Sequence, residues 1–177
     1  MPDFGFGQPR GGIIQTAFVV ADIDDAVAWW TSDLRAGPFF LLPDWSGGNP
    51  VHRGAPSTAV VRIAMGFAGH MQIELIQALD DAPSVYKELL DRSGPGLHHF
   101  GVASADLDGD IARMESDGYA LAFRAGVGSG EVAYMDGGPS QPAMIELIEA
   151  SPGMDANFTA MWEESVGWDG HDPLRRR

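Results

Sequence analysis

ADIDDAVAWW at residues 21–30 and ADLDGDIARM at residues 105–114 are two copies of one strand-to-helix junction, 84 residues apart. A second pair, IELIQA at 73–78 and IELIEA at 145–150, recurs at an offset of 72. Self-similarity on this scale means that one supersecondary unit has been duplicated, so two similar modules should face each other. The offsets also equate polar residues: Gln15 plus 84 is His99, and Glu74 plus 72 is Glu146. All four are metal-ligand types at the centres of matching strands.

Outward from those junctions the pattern fills in as β-α-β-β-β, twice. IIQTAFVV (13–20) is β-branched and aromatic, a strand. Asp22 or Asp24 then caps a helix running to about Leu34, with Val27, Trp30 and Leu34 on one stripe. FFLL (39–42), STAVVRIAMGF (57–67) and HMQIELIQAL (70–79) read as strands, with 44–56 a loop rich in Gly and Pro. In the second copy, LHHFGVAS (97–104) is a strand and 106–118 a helix, followed by strands at 119–124, 131–136 and 143–150. GVGSGE (126–131) lacks a phosphate-loop lysine and a following helix, and reads as a hairpin turn. The predicted organisation is a flexible arm at 1–12, a first module at 13–82, a linker helix at 83–96, a second module at 97–150, and a C-terminal helix and tail at 151–177. The fold class is α+β.

Composition narrows the function. The 177 residues carry 11 basic and 25 acidic side chains, a formal charge of −14 that repels nucleic acid. The one basic cluster is the terminal Arg175, Arg176 and Arg177. A polyanionic substrate such as a coenzyme A ester would need a local basic patch. Arg53, Arg62, Lys87, Arg92 and Arg124 could supply one, but the sequence does not place them together. Cysteine is absent, which removes disulfides, thiolate nucleophiles and thiolate-bound metal. No apolar run reaches the roughly 18 residues of a membrane span, and the first residues lack a signal-peptide h-region. A cytoplasmic protein with no membrane partner is the expectation.

Alternation along each strand isolates the four polar residues. Glu74 and Glu146 sit between aliphatic neighbours, where a lone carboxylate is costly unless it is paired or bound to a cation. Ala17 follows Gln15, and Gly101 and Ala103 follow His99; small residues beside polar ones imply a cavity. His98 falls in register with Phe100 and Val102, and so reads as a packing histidine on the core face.

Together the two modules, the HHFGVASADLD junction and the two IEL strands resemble the vicinal oxygen chelate superfamily. That superfamily includes glyoxalase I, methylmalonyl-CoA epimerase, extradiol dioxygenases and bleomycin-resistance proteins. The resemblance covers roughly residues 13–150. It implies a cup-shaped mixed sheet and one divalent metal ion per chain (Zn, Ni, Co or Mn), held by Gln15, Glu74, His99 and Glu146. The order Gln, Glu, His, Glu is that of eukaryotic-type glyoxalase I, while AWWTSDLRAGPFF and the late WDGHDP segment look more like the epimerase-related branch. The resemblance therefore implies a metal-dependent isomerase, epimerase or lyase that removes a proton next to a metal-bound carbonyl and stabilises the enediolate. Lactoylglutathione lyase activity and non-catalytic small-molecule binding stand as alternatives. In this reading Glu146 is the first candidate base and Glu74 its partner; Tyr134 is a possible substrate donor. Trp162, on the apolar face of the last helix with Phe158 and Met161, is a candidate substrate contact, and Phe158 and Met161 are candidate core. The substrate is expected to be a small carbonyl compound or thioester. A homodimer is expected to cover open sheet edges and the apolar tail helix.

Overall fold

A computed structural model describes residues 3–128 and 130–176, leaving Met1, Pro2, Arg177 and the Ser129 of the 126–131 turn outside the described residues. The chain runs β1 (Ile13–Val19), α1 (Ile23–Ser32), β2 (Phe39–Leu41), β3 (Gly48–His52), β4 (Ala55–Pro56), β5 (Val61–Ala68), β6 (Met71–Ala78) and α2 (Val85–Ser93). It continues as β7 (Gly96–Ser104), α3 (Leu107–Ser116), β8 (Ala120–Val127), β9 (Gly130–Asp136), β10 (Met144–Glu149), α4 (Pro152–Ser165) and β11 (Leu174–Arg176). The two junctions of the repeat open on the same cap. Asp22 accepts a hydrogen bond from the Asp25 N–H, and Asp106 accepts one from the Gly109 N–H. Each satisfies one of the amides that a helix start leaves unpaired.

One continuous mixed sheet results, in the order β11-β2-β5-β6-β1-β7-β10-β9-β8-β3-β4. Its inner strands are two mirrored copies of one arrangement, β2-β5-β6-β1 and β8-β9-β10-β7, joined where β1 and β7 run antiparallel. In each copy the IEL strand lies parallel to the first strand of its module: β6 on β1, and β10 on β7. The helices cover equivalent faces. Ile23 and Val27 of α1 pack with Phe39 and Leu75, and Leu107, Ile111 and Met114 of α3 pack with Met135 and Leu147. The apolar stripe predicted on α1 stops early, because the helix ends at Ser32 and leaves Leu34 beyond it, half exposed.

Three expectations change. The loop at 44–56 carries the β3–β4 hairpin, and β3 crosses to pair with β8 of the other module. Gly47 and Gly48 permit the crossing: a Cβ on Gly47 would stand 2.6 Å from the Ala125 Cβ, and one on Gly48 would stand 3.4 Å from the Gly126 Cα. Glycines read as breakers are thus a close-approach site. At the other end of the sheet, β11 adds in parallel to β2, with Leu174 opposite Phe39. The open edges of the described sheet are therefore the short strands β4 and β11. The arm at 1–12 is not loose over its described part: Phe4 and Phe6 are buried and stacked at 5.3 Å, and Phe6 meets Phe67 and Phe158 at 5.8 Å. Burying each ring contributes about 2–3 kcal/mol, enough to hold a Gly- and Pro-rich segment in place. Among the described residues no helix is long and apolar enough to cross a membrane.

Candidate metal centre

β1 and β7 each carry one extra residue. Ile13 pairs with Val102 and Gln15 with Gly101, which leaves Ile14 without a partner; Ala17 pairs with His99 and Phe18 with Leu97, which leaves His98 without one. Ile14 plus 84 is His98, so the two bulges are copies of each other, each immediately before a candidate ligand. A bulge re-aims side chains that simple alternation would send to opposite faces. Here it brings His98 to His99: their Nδ1 atoms are 2.8 Å apart.

The duplicated positions converge on one imidazole. His99 Nε2 lies 3.3 Å from Gln15 Oε1, 3.3 Å from Glu74 Oε2 and 3.1 Å from Glu146 Oε2. One N–H cannot serve three acceptors in three directions. Accordingly, Glu74 Oε2 and Glu146 Oε2 are buried without a hydrogen-bond donor, and no Arg or Lys pairs with either carboxylate among the described residues. The ligand atoms of Glu74, His99 and Glu146 all lie within 4.8 Å of one another. Two carboxylates, an imidazole and an amide oxygen around one point form a donor set suited to a divalent cation.

The surroundings aim these groups. Gln15 Nε2 donates to Gln72 Oε1 at 2.8 Å, which turns the amide oxygen toward His99. The small residues serve the same end. Ala17 lies beside Glu74 and Gly101 beside Glu146 in the sheet register, and a Cβ on Gly101 would sit 2.7 Å from Gln15 Oε1 and 2.8 Å from Gln15 Cβ. Burial lowers the His98 pKa to about 3, reinforced by the neighbouring His99 charge, so His98 is neutral. Its Nδ1 is then free to accept from His99 Nδ1–H, which leaves His99 Nε2 facing the three oxygens. Burial also pulls the His99 pKa down, but Glu146 and Glu74 outweigh it and raise the group to about 9. The imidazolium thus supplies the positive charge that the paired carboxylates require. Burial raises the Glu74 pKa, with His99 opposing and Glu146 adding to the shift.

Gln15, Glu74, Glu146 and Tyr134 line a cavity of about 500 Å³, with His99 buried behind them. Tyr134 places its ring 4.7 Å from that of His99, and its hydroxyl is 3.1 Å from the Tyr86 hydroxyl. Burial, with Glu146 and Glu74 nearby, holds the Tyr134 phenol protonated and able to donate. Trp162 is not among the lining residues; it stacks on His70 at 5.3 Å. The last helix reaches the cavity instead through Met154, Asn157 and Phe158. Gln72, His98 and Tyr86 were not legible as site residues. Gln72 alone had a signal, sharing the strand face of Glu74 two residues earlier.

Residues 14–134 match the model of the Glyoxalase/Bleomycin resistance protein/Dioxygenase superfamily. Among solved structures, the methylmalonyl-CoA epimerase of Mycobacterium tuberculosis is 25% identical, with a TM-score of 0.59 over 82% of this chain and 91% of that one. A protein described as hypothetical from Bacillus halodurans C-125 is 18% identical, with a TM-score of 0.59 over 79% and 94%. A variant Streptomyces coelicolor methylmalonyl-CoA epimerase, in complex with 2-nitronate-propionyl-CoA, is 18% identical, with a TM-score of 0.56 over 81% and 96%. The last two likenesses are of fold. No curated protein sequence matches this chain significantly.

Proposed function

The chain belongs to the glyoxalase/bleomycin resistance protein/dioxygenase superfamily, and we propose that within it this protein is a metal-dependent isomerase, epimerase or lyase that moves a proton on a carbon next to a carbonyl. The observation that carries this reading is the convergence of three buried oxygens on His99 Nε2, two of them carboxylate oxygens with no donor. In this proposal Gln15, Glu74, His99 and Glu146 hold one divalent ion. Bound there, such an ion supplies Lewis acidity to a substrate oxygen.

The residues of the chain do the rest. Glu146 and Glu74 come from equivalent strands of the two modules and approach the same point, so one can take a proton while the other returns one. The Tyr134 hydroxyl, kept protonated, can donate to a substrate oxygen. The apolar wall of Leu42, Ile63, Met65 and Phe158 lowers the local dielectric and so sharpens each of these interactions.

The test is deuterium exchange. In D₂O, metal-loaded protein should exchange the proton beside the carbonyl in a panel of 2-hydroxyketones, 2-oxoaldehydes and acyl thioesters. Glu146→Gln should slow exchange by about 10²-fold or more, the scale of a lost general base. Tight ligand binding with no exchange in any of these compounds would instead make the protein a binding member of its superfamily.

A further inference from the structure

The cavity that leads to the proposed metal centre has a distinct chemistry at its mouth. Its inner wall is apolar, built from Leu42, Trp45, Ile63, Met65, Met154 and Phe158. The charged groups nearer solvent are all carboxylates, Asp44, Glu131 and Glu149, beside the neutral Ser151 and Asn157, and no lysine or arginine lines the cavity among the described residues. The nearby cations are already engaged. Arg62 donates to both oxygens of Asp44, at 3.0 and 3.3 Å, and Arg124 donates to Asp108 at 2.8 Å and to Glu131 at 2.5 Å. Arg53 is shared between Glu88 and Asp136, and Lys87 pairs with Asp91. Of the five basic residues that could have formed an anion patch, four are therefore neutralised by carboxylates and none lines the cavity.

Glu149 accepts the Glu131 N–H, and no cation pairs with it among the described residues. A divalent ion held by two carboxylates would leave the centre formally neutral, so the excess charge at the mouth would stay negative. A phosphate-bearing arm leaving the cavity there would meet like charge, with no lysine or arginine in the lining to offset it and only the α4 start at Ser151 and the amide of Asn157 to receive it. The structural neighbours named above include an epimerase bound to a coenzyme A derivative, so the resemblance alone points to such an arm.

We propose that this cavity takes an apolar, non-anionic carbonyl compound rather than a coenzyme A thioester. This rests on the proposed function only for the carbonyl; the selectivity against an anionic arm follows from the cavity alone. About 500 Å³ accommodates a compound of one or two rings, and the wall of Trp45 and Phe158 offers such rings apolar contact.

The test compares matched ligands that displace the neutral dye Nile red from metal-loaded protein: S-propionyl-N-acetylcysteamine, propionyl-CoA, and benzoin as an uncharged hydroxyketone. Benzoin or the truncated thioester should displace the dye at least tenfold more effectively than propionyl-CoA. Any displacement by propionyl-CoA should strengthen as salt rises, because salt screens the repulsion. Propionyl-CoA binding tenfold tighter than its truncated analogue, and weakening with salt, would overturn the proposal. So would failure of every uncharged probe to bind. Metal content is measured in the same samples. Loss of the metal reading with this selectivity intact leaves the proposal standing, whereas a metal-replete protein that prefers the coenzyme A ester refutes it alone.

Discussion

His98→Phe isolates what the bulge in β7 does. The His98 ring packs 5.0 Å from the Tyr86 ring and 5.6 Å from the Tyr134 ring, and phenylalanine keeps those ring contacts. What it removes is the acceptor 2.8 Å from His99 Nδ1. His99 Nδ1–H then becomes a buried donor without a partner, at a cost of about 1–3 kcal/mol, and the ring loses the contact that turns Nε2 toward Gln15, Glu74 and Glu146. Since about 1.4 kcal/mol is tenfold, the expected loss of metal affinity is roughly 10- to 100-fold, the scale seen when a partner that orients a ligating histidine is removed. The assay is competition for Zn(II) or Ni(II) against a chromophoric chelator near pH 7, with thermal melting of the metal-free variant as a control on folding. Affinity within about twofold of wild type, in a variant that melts normally, would refute the orienting role and return His98 to plain packing.

Gly101→Ala puts a Cβ into Gln15 at both its Oε1 and Cβ, so it should cost about 1–3 kcal/mol in chemical denaturation and weaken metal binding as well; a neutral result would mean that β1 and β7 part easily. Metal affinity should rise about tenfold per pH unit below about pH 9, because His99 must lose its proton to ligate, and level off above that; a flat profile between about pH 6 and 8 would contradict the imidazolium. The metal-free protein should show the opposite trend: the folded pKa of His99 is raised, so its stabilising charge is complete below about pH 6.5 and lost as pH rises through about 9, which melting temperatures against pH would show. Phe6→Ala should destabilise by about 3–5 kcal/mol in urea unfolding, as expected for an aromatic ring removed from a core, whereas a loss under about 1 kcal/mol would restore the loose arm.

The repeat made the central features readable because duplication preserves both chemistry and spacing. The mirrored modules, the two Asp caps and the convergence of Gln15, Glu74, His99 and Glu146 all follow from offsets along the chain. What stayed hidden depends on contacts between segments that the repeat does not relate. The crossing of β3 onto β8 relies on Gly47 and Gly48, whose composition signals a loop equally well. β11 is three residues long and acquires strand geometry only by adding to β2. His98 packs on Tyr86 and Tyr134 as a structural histidine would, but its contact with His99 stayed hidden for a narrower reason. Period-2 alternation assumes an unbroken ladder and sends adjacent side chains apart, whereas one inserted residue lets the His98 and His99 rings meet. Trp162 illustrates the limit of helix periodicity: it shares an apolar face with Phe158, yet only Phe158 reaches the cavity, while Trp162 covers His70.

The central claim is that the duplicated strands of this fold build one cation site, and calorimetric titration of the metal-free protein with Ni(II) or Zn(II) tests it most directly. Wild type should bind one ion per chain, and His99→Ala, which removes the nitrogen at the point of convergence, should bind none at the same concentrations while a Trp162→Ala control binds as wild type. Absence of binding by the wild-type protein, or one ion per chain retained undiminished by His99→Ala, would contradict the account.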